Sequence, residues 1–352
     1  MDFYYYWLGR IKGLGYKRMD KLMAQGIKIK DLFDRPEDFE RELEFLPQKV
    51  RGELFDQGLK EETQKYWEYM QAKKISYHSF LEEDYPEEFK TLYQPPKGVF
   101  VRGKLPGKGD LTLGIVGARD CSPYGRDMAR WFAFRLAKAG FWIVSGMAMG
   151  VDGWSHWGAL DAGGKTLAVL GAGINVCYPD NHRRLYREIC RQGTLVSEQD
   201  LFVRARPEFF PLRNRLIAAF SKGILLVEAR QHSGSLITAN QALDQGKDVF
   251  VIPGRVGDPL SEGCNQLICA GAIPVIHPDD ILHYYGLKSQ EEELSLEGKE
   301  REIWDKLGSY PLSARSLSEE TGMKLTDLLR ILLKWKSGGL IRELGQGYFV
   351  KD

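Results

Sequence analysis

The sequence predicts an α/β protein. A mostly parallel sheet with helices on both faces sits between a helical N-terminal region and a small C-terminal domain. Three observations predict this. Between Leu111 and Val275, short apolar runs alternate with stretches of helical spacing, the pattern of parallel strands joined by crossover helices. Residues 1–75 carry helical spacing broken by glycine and proline. From Lys299 a fresh helical periodicity begins after the acidic stretch Gln290–Gly298, which lacks apolar pattern and reads as a linker.

In order along the chain, FYYYWLGRI opens the helical region and Gly13-Leu14-Gly15 interrupts it. YKRMDKLMAQG then resumes and ends at Gly26. A helix–GLG–helix unit is either a helix-hairpin-helix, which holds a DNA phosphate on the second helix's N–H groups, or a glycine turn in a small bundle. Pro36 and Pro47 divide the next apolar runs, and Lys60–Lys74 reads as a charged amphipathic helix leading out. GVFVRG is a short strand. The alternation follows: strand Leu113–Val116, helix Tyr124–Ala139, strand Trp142–Ser145, helix Trp154–Ala162, strand Leu167–Leu170, helix Asn181–Arg191, strand Leu195–Ser197. Helix Leu212–Phe220, strand Gly223–Glu228, helix Ser235–Gln245, strand Asp248–Ile252, helix Cys264–Ala270 and strand Ala272–Val275 complete it. Beyond the linker, Ile303, Leu307, Leu317, Leu328, Leu332 and Trp335 mark three helices. LIRELGQGYFV is a hairpin with Gly345 and Gly347 at its turn. Three helices and a β wing describe a winged helix, with Thr326–Lys336 as its leucine-rich candidate recognition helix, or else an oligomerisation knob.

The totals exclude several classes. The 352 residues carry a net charge of +1, so any nucleic-acid surface depends on local clustering. Such clustering exists from His182 to Arg230, where Arg183, Arg184, Arg187, Arg191, Arg204, Arg206, Arg213, Arg215 and Lys222 outnumber the acids. The longest apolar runs are too short to span a bilayer, and no signal-peptide pattern follows Met1. The five scattered cysteines form no CxxC pair, which points to a reducing cytoplasm and no metal site.

The chemistry lies in the loops after the strands, where ligands of parallel sheets bind. LTLGIVGARDCSPYG reads as strand, tight turn and helix start. Gly117 lets backbone approach a ligand, Arg119 forks onto a phosphate, and helix-start N–H groups receive the anion. The other reading is a plain βα turn with Arg119 solvated. Later loops carry Ser145, Gly146 and Asp152, then GAGINVCYPD, SEQD, FFPLRNR and VEARQHSGSLITA. ALDAGGKT resembles a relaxed phosphate loop, but it follows a helix and feeds a strand, the wrong context. Gly171-Ala172-Gly173 lacks a third glycine for dinucleotide binding. Ser155-His156 has no nucleophile elbow. Asp152 and His156 share a helix face at i, i+4, either as acid and base or as a helix-start carboxylate and a satisfied core histidine. Glu198 and Glu228 are either a catalytic pair or partners that orient Arg213 and Arg215; the second is favoured.

Together, IVGARDCSPYG, SGMAMGVDGWSHWGAL, GGKTLAVLGAGINVCYP, LVSE, FFPLRNRLIAAFS, VEARQHSGSLITANQAL and VFVIPG resemble the DNA-processing protein A family (DprA, also called Smf). The match is close over about 85–275. It implies an extended Rossmann-like fold over 76–288, a SAM/helix-hairpin-helix-like domain over 1–75, a linker at 289–298 and a winged helix over 299–352. It implies a non-enzymatic cytoplasmic protein without cofactor or metal. Such a protein binds and protects single-stranded DNA, forms a homodimer, and loads the RecA recombinase during natural transformation and homologous recombination. The DNA pocket then falls on Gly117, Arg119, Ser145, Gly146, Phe210, Arg213, Asn214, Arg215, Ser233, Gly234, Ser235 and Thr238. Arg119, Arg213 and Arg215 are expected to carry most of the phosphate contacts. Relatives often place a basic residue after the Tyr-Pro of the third loop. Here Asp180 stands there, and Arg183 or Arg184 is the substitute. The segment Cys264–Val275, with Asn265, Leu267 and Ile268, resembles the family's dimer face. The alternative class is a nucleotide-binding enzyme or sensor on the same fold; the absence of a PGGxGT loop counts against hydrolysis.

Overall fold

The computed structural model of the chain describes residues 3–288, 296–308, 311–337, 340–344 and 347–351. Contacts divide it into two compact units, Met1–Ile281 and Leu282–Asp352.

The first unit opens with five helices, α1 (Phe3–Arg10), α2 (Tyr16–Met23), α3 (Ile29–Asp34), α4 (Gln48–Leu54) and α5 (Gln57–Lys73). Asp56 caps α5 by accepting from Leu59 N–H, and Lys74 ends it in a left-handed turn. Trp7, Leu8, Ile11, Leu14, Leu22, Leu32, Leu43 and Leu54 form a core of their own. Tyr6 and Met70 instead join Tyr77, Phe100 and Leu195 of the sheet. Tyr6 Oη and Arg10 Nε donate to the two oxygens of Asp200 at 3.0 and 2.8 Å, and Lys97 Nζ donates to Ile11 C=O at 3.0 Å. The helices therefore keep a core of their own and are tied to the sheet through Tyr6, Met70 and these bonds.

The sheet has nine strands: β1 (Ser76–Ser79), β2 (Gly98–Arg102), β3 (Thr112–Val116), β4 (Trp142–Ser145), β5 (Thr166–Leu170), β6 (Thr194–Ser197), β7 (Gly223–Leu226), β8 (Asp248–Val251) and β9 (Ile273–Pro274). Their spatial order is β1-β2-β6-β5-β4-β3-β7-β8-β9. The seven from β6 to β9 are parallel; β2 and β1 extend the sheet antiparallel, with Phe100 opposite Ser197. This is the Rossmann-like arrangement, and its strand order reverses between β3 and β7. Helices α6 (Glu87–Lys90), α7 (Pro123–Lys138), α8 (Val151–Asp161), α9 (Arg183–Gln192), α10 (Phe209–Phe220), α11 (Gly234–Asp244), α12 (Glu262–Cys269) and α13 (Pro278–Tyr284) complete the set. Side chains alternate across the strands. Leu167 and Val169 pack with α10 and α11, while Ala168 and Leu170 pack with α8 and α9. Burial on both faces explains why these strands read as continuous apolar runs. β1 was absent from the sequence expectation because SYHS mixes polar and aromatic residues. Its half-buried pattern is that of an edge strand.

His156 of α8 illustrates how deeply the helices are set. Thr166 Oγ1 donates to Ile143 C=O at 2.8 Å, so its lone pair receives the His156 Nδ1 proton at 2.7 Å. Nε2 is buried without a partner. Burial pushes the imidazole down to about 3, with His182 and Arg213 adding to the shift. The unfolded chain takes up this proton near pH 6.5 and the folded chain does not, so stability falls as pH drops below about 6.5. His156→Asn is expected to make the urea midpoint decline less steeply between pH 6.5 and 4.5 than it does in the parent chain.

The second unit contains α14 (Gly298–Lys306), α15 (Ala314–Thr321), α16 (Leu325–Ser337) and strands β10 (Leu312–Ser313), β11 (Ile341–Glu343) and β12 (Tyr348–Lys351), ordered β10-β12-β11. Ile303, Leu317, Leu328, Leu332, Trp335 and Phe349 form its core. This matches the expected three helices and wing, with β10 as an added strand. Residues 289–295 of the expected linker and Gly345 of the expected hairpin turn lie outside the described residues. Leu296 already packs on this unit's core. Among the described residues, no helix is long and apolar enough to cross a membrane.

Candidate nucleic-acid interface

Where the strand order of a parallel sheet reverses, the loops leaving its strands diverge and open a crevice. Here that point lies beyond β3 and β7, and the sequence places the GAR turn after β3 and the SGS loop after β7. Residues Gly117, Arg119, Asp152, Phe210, Arg213, Asn214, Ser233, Gly234, Ser235 and Thr238 line one cleft of about 250 Å³. An adjoining cavity shares Arg119, Ala148, Phe210 and Arg213 and adds Gly146, Met149, Gly171, Tyr178 and Pro179.

Arg119 lies with its guanidinium carbon 5.1 Å from the centroid of the Phe210 ring, within cation–π range. Tyr178 stands beside the same ring, centroids 5.6 Å apart and planes 34° from parallel. Across the cleft, α11 begins at Gly234. Ser233 Oγ accepts from Ser235 N–H at 3.3 Å and pairs with the Ser235 hydroxyl at 2.7 Å. Serine caps and first-turn N–H groups make this helix start a receptor for anions.

Arg213 and Asp152 form the base of the arrangement. Arg213 is 5% exposed. Its Nη1 donates to Val169 C=O at 2.6 Å and its Nε to Asn214 Oδ1 at 3.1 Å. Burial holds the guanidinium down to about 10, against the pull of Asp152. Asp152 accepts from Gly146 and Ala148 N–H at 3.1 and 3.4 Å, and burial raises its pKa while Arg213 opposes the rise. A Cβ on Gly146 would stand 1.8 Å from Arg213 Nη1, so glycine at 146 is the space the guanidinium occupies. Asp152 thus lies in the first turn of α8 and holds the preceding loop through Gly146 and Ala148, and His156 is a core residue with Nε2 left without a partner, nearer the second of the two readings weighed above.

Several expected residues lie elsewhere. Arg215 is not in the cleft. Residues two apart on an α-helix are about 200° apart around its axis, so Arg213 and Arg215 cannot face one ligand. Arg215 binds both oxygens of Glu198 at 2.8 and 2.7 Å and borders a separate cavity with Glu88 and Asp244. Ser145 is buried and its hydroxyl donates to Ile115 C=O at 2.6 Å, tying β4 to β3. Arg183 pairs with Asp180 at 2.9 Å on the exposed start of α9, outside both cavities. Glu228 orients no arginine; it accepts from Ser122 N–H at 2.8 Å and from the Ser122 hydroxyl, anchoring the start of α7. Gly117 borders the cleft, but a Cβ there would meet Val151 Cγ2 at 2.6 Å, so packing against α8 demands the glycine. Asn265 is spent on Gly254, accepting from its N–H at 3.2 Å and donating to its C=O at 3.1 Å. Leu267 and Ile268 are partly buried beside the sheet core. Tyr178 and Asp152 join the two cavities beyond the pocket residues expected from the sequence. The aromatic just before the proline of the third loop was the available signal for the first.

Residues 76–286 match the family described as DNA recombination-mediator protein A. Protein Smf of Escherichia coli is 36% identical over 283 residues, covering 76% of this chain and 75% of its own length. The DNA processing protein DprA of Bacillus subtilis is 36% identical over 206 residues, 56% of this chain and 67% of its own. The X-ray structure of DprA from Streptococcus pneumoniae superposes with a TM-score of 0.59 at 32% identity, over 76% of this chain and 96% of that one. DprA of Helicobacter pylori, solved for its single-stranded DNA binding mode, gives 0.54 at 29% identity, over 60% and 95%. The matched segment contains every strand of the sheet and every residue of the cleft, and the chain belongs to the DNA recombination-mediator protein A family.

Proposed function

We propose that this recombination mediator holds single-stranded DNA in the cleft beyond β3 and β7, delivers it to a RecA-type recombinase, and does so as a homodimer in the cytoplasm without catalysing a reaction. The observation that carries the reading is Arg119 laid over Phe210, opposite the serine-capped start of α11. A cation and helix-start N–H groups suit phosphates, and the half-buried Phe210 ring with the exposed Tyr178 beside it suits a base of any identity. The relation to Helicobacter pylori DprA supports the choice of ligand. The cleft's carboxylate, Asp152, already accepts two backbone N–H groups, which favours holding over acid–base chemistry. For the dimer, the α12–β9 edge is the proposed face: β9 ends the sheet and Ile276 just beyond it is exposed.

The test is fluorescence anisotropy of labelled oligo-dT, titrated with salt and competed with duplex DNA and AMP. Salt-sensitive binding that neither competitor displaces is expected. Arg119→Ala should weaken it by at least about tenfold and flatten the salt slope by about 0.7, the share of one phosphate contact. Weak oligonucleotide binding with clear displacement by AMP would favour the nucleotide-binding enzyme or sensor instead.

A further inference from the structure

We propose that single-stranded DNA leaves the cleft over Tyr178 and runs along α9, with its phosphates on Arg187 and Arg191 beyond Arg183. The inference rests on the cleft being a DNA site and extends it to the strand's path.

Helical geometry sets the ridge. Arg183, Arg187 and Arg191 are spaced i, i+4, i+8, so they stack on one face with about 6 Å of rise between neighbours. Leu185 and Ile189 on the opposite face are buried, and the arginines are exposed. The ridge starts where the adjoining cavity ends, because Tyr178 and Pro179 line that cavity and the chain turns through Asp180–His182 into Arg183. Arg184 lies over Trp157, 5.3 Å from its ring centroid, which fixes the helix's first turn on α8.

The charge is incompletely neutralised. Asp180 pairs with Arg183 and Glu188 with Arg191, while Arg187 Nε donates to Arg183 C=O at 3.2 Å and its side chain has no carboxylate partner among the described residues. Further positive charge flanks the same loop. Gly173 N–H donates to Val203 C=O at 2.8 Å and Phe202 N–H to Asn175 Oδ1 at 2.8 Å, so Arg204 and Arg206 lie beside the third loop. The other side of α10 offers a strand no such pull. The cavity there sets Glu88 and Asp244 against Lys247, and its arginine is held by Glu198. A polyanion emerging past Phe210 therefore meets a row of arginines toward α9 and offsetting charges toward α11.

The experiment uses the full chain and two oligo-dT probes, one of about two nucleotides that is short enough to stay at the cleft and one of about twenty. Arg187→Gln/Arg191→Gln is expected to leave the short probe's affinity and the thermal midpoint unchanged. On the long probe it should reduce the salt slope by about 1.4, twice the single-contact share on single strands. Glu188→Gln should tighten the long probe by about twofold, a gain that a solvated surface helix would not give. An unchanged slope on the long probe overturns the proposal, whether or not the ridge then proves to meet an acidic protein; an equal loss on both probes overturns it as well. Arg119→Ala separates the two readings. If it leaves the short probe's affinity intact, the cleft assignment fails, while the long-probe slope still reports on α9.

Discussion

Arg213→Ala is expected to destabilise the first unit by about 3 kcal/mol and to abolish ordered oligonucleotide binding. The side chain links three elements: it starts on α10, donates to Val169 on β5, and lies against Gly146 in the loop after β4. Removing it leaves the Val169 carbonyl unsatisfied and the Asp152 carboxylate buried without its countercharge, each a costly change. For a unit of this size the thermal midpoint should fall by roughly 5 °C. Arg213→Lys keeps the charge but cannot reach Val169 and Asn214 together, so it should recover only part of the loss. Arg215→Ala is the informative contrast. It leaves Glu198 unpaired and lowers stability, yet the oligonucleotide affinity of the folded protein should be preserved. Calorimetry read beside anisotropy on the three variants would decide this. Equal loss of binding in Arg215→Ala would contradict the placement of the two arginines on opposite sides of α10.

Gly150→Ala should have the second large effect. Gly150 precedes α8 with φ of +74° and ψ of −131°, a conformation essentially closed to side-chain-bearing residues. The added Cβ would also stand 2.2 Å from Ala118 C=O and 2.5 Å from Arg119 C=O, both backbone atoms. Strain and collision together should cost several kcal/mol, relieved in part by moving the turn that carries Arg119. Binding of oligo-dT is expected to weaken by more than about tenfold as a result. Gly163→Ala is the control: φ there is +65°, but nothing lies within 4 Å of the new Cβ. It should cost about 1 kcal/mol and leave DNA binding unchanged. A Gly150→Ala protein that binds normally would mean that the two turns move independently.

Much of the architecture was legible because each central strand is buried on both faces, and a fully apolar run between glycine-rich loops leaves little choice of period. Trp142–Ser145 was read to the residue, and the other central strands came within a residue or two. The site was legible in outline for the same reason, since strand ends locate loops and loops locate ligands. Individual roles were less so. FPLRNR presents two arginines that look equivalent in one dimension, and only the turn of α10 sends one to the cleft and the other to Glu198. Glu228 sits at a strand end like Glu198, yet its partner, Ser122, lies 106 residues away, a pairing that strand order alone determines. Glycines at 117 and 146 suggested room for a ligand, where the neighbours that need the space are Val151 and Arg213.

The bonds between the first helix and Asp200 make the unit that unfolds together larger than the segment the family description covers. The segment that matches the family begins at residue 76. What resists unfolding together begins earlier, since Tyr6 and Arg10 grip the carboxylate that opens the segment leading to Phe210. A fragment trimmed to the shared segment would expose Tyr77 and Phe100, and it would release the chain that carries the aromatic wall of the cleft. The matched segment is therefore not mechanically independent, and it leans on the helix that precedes it.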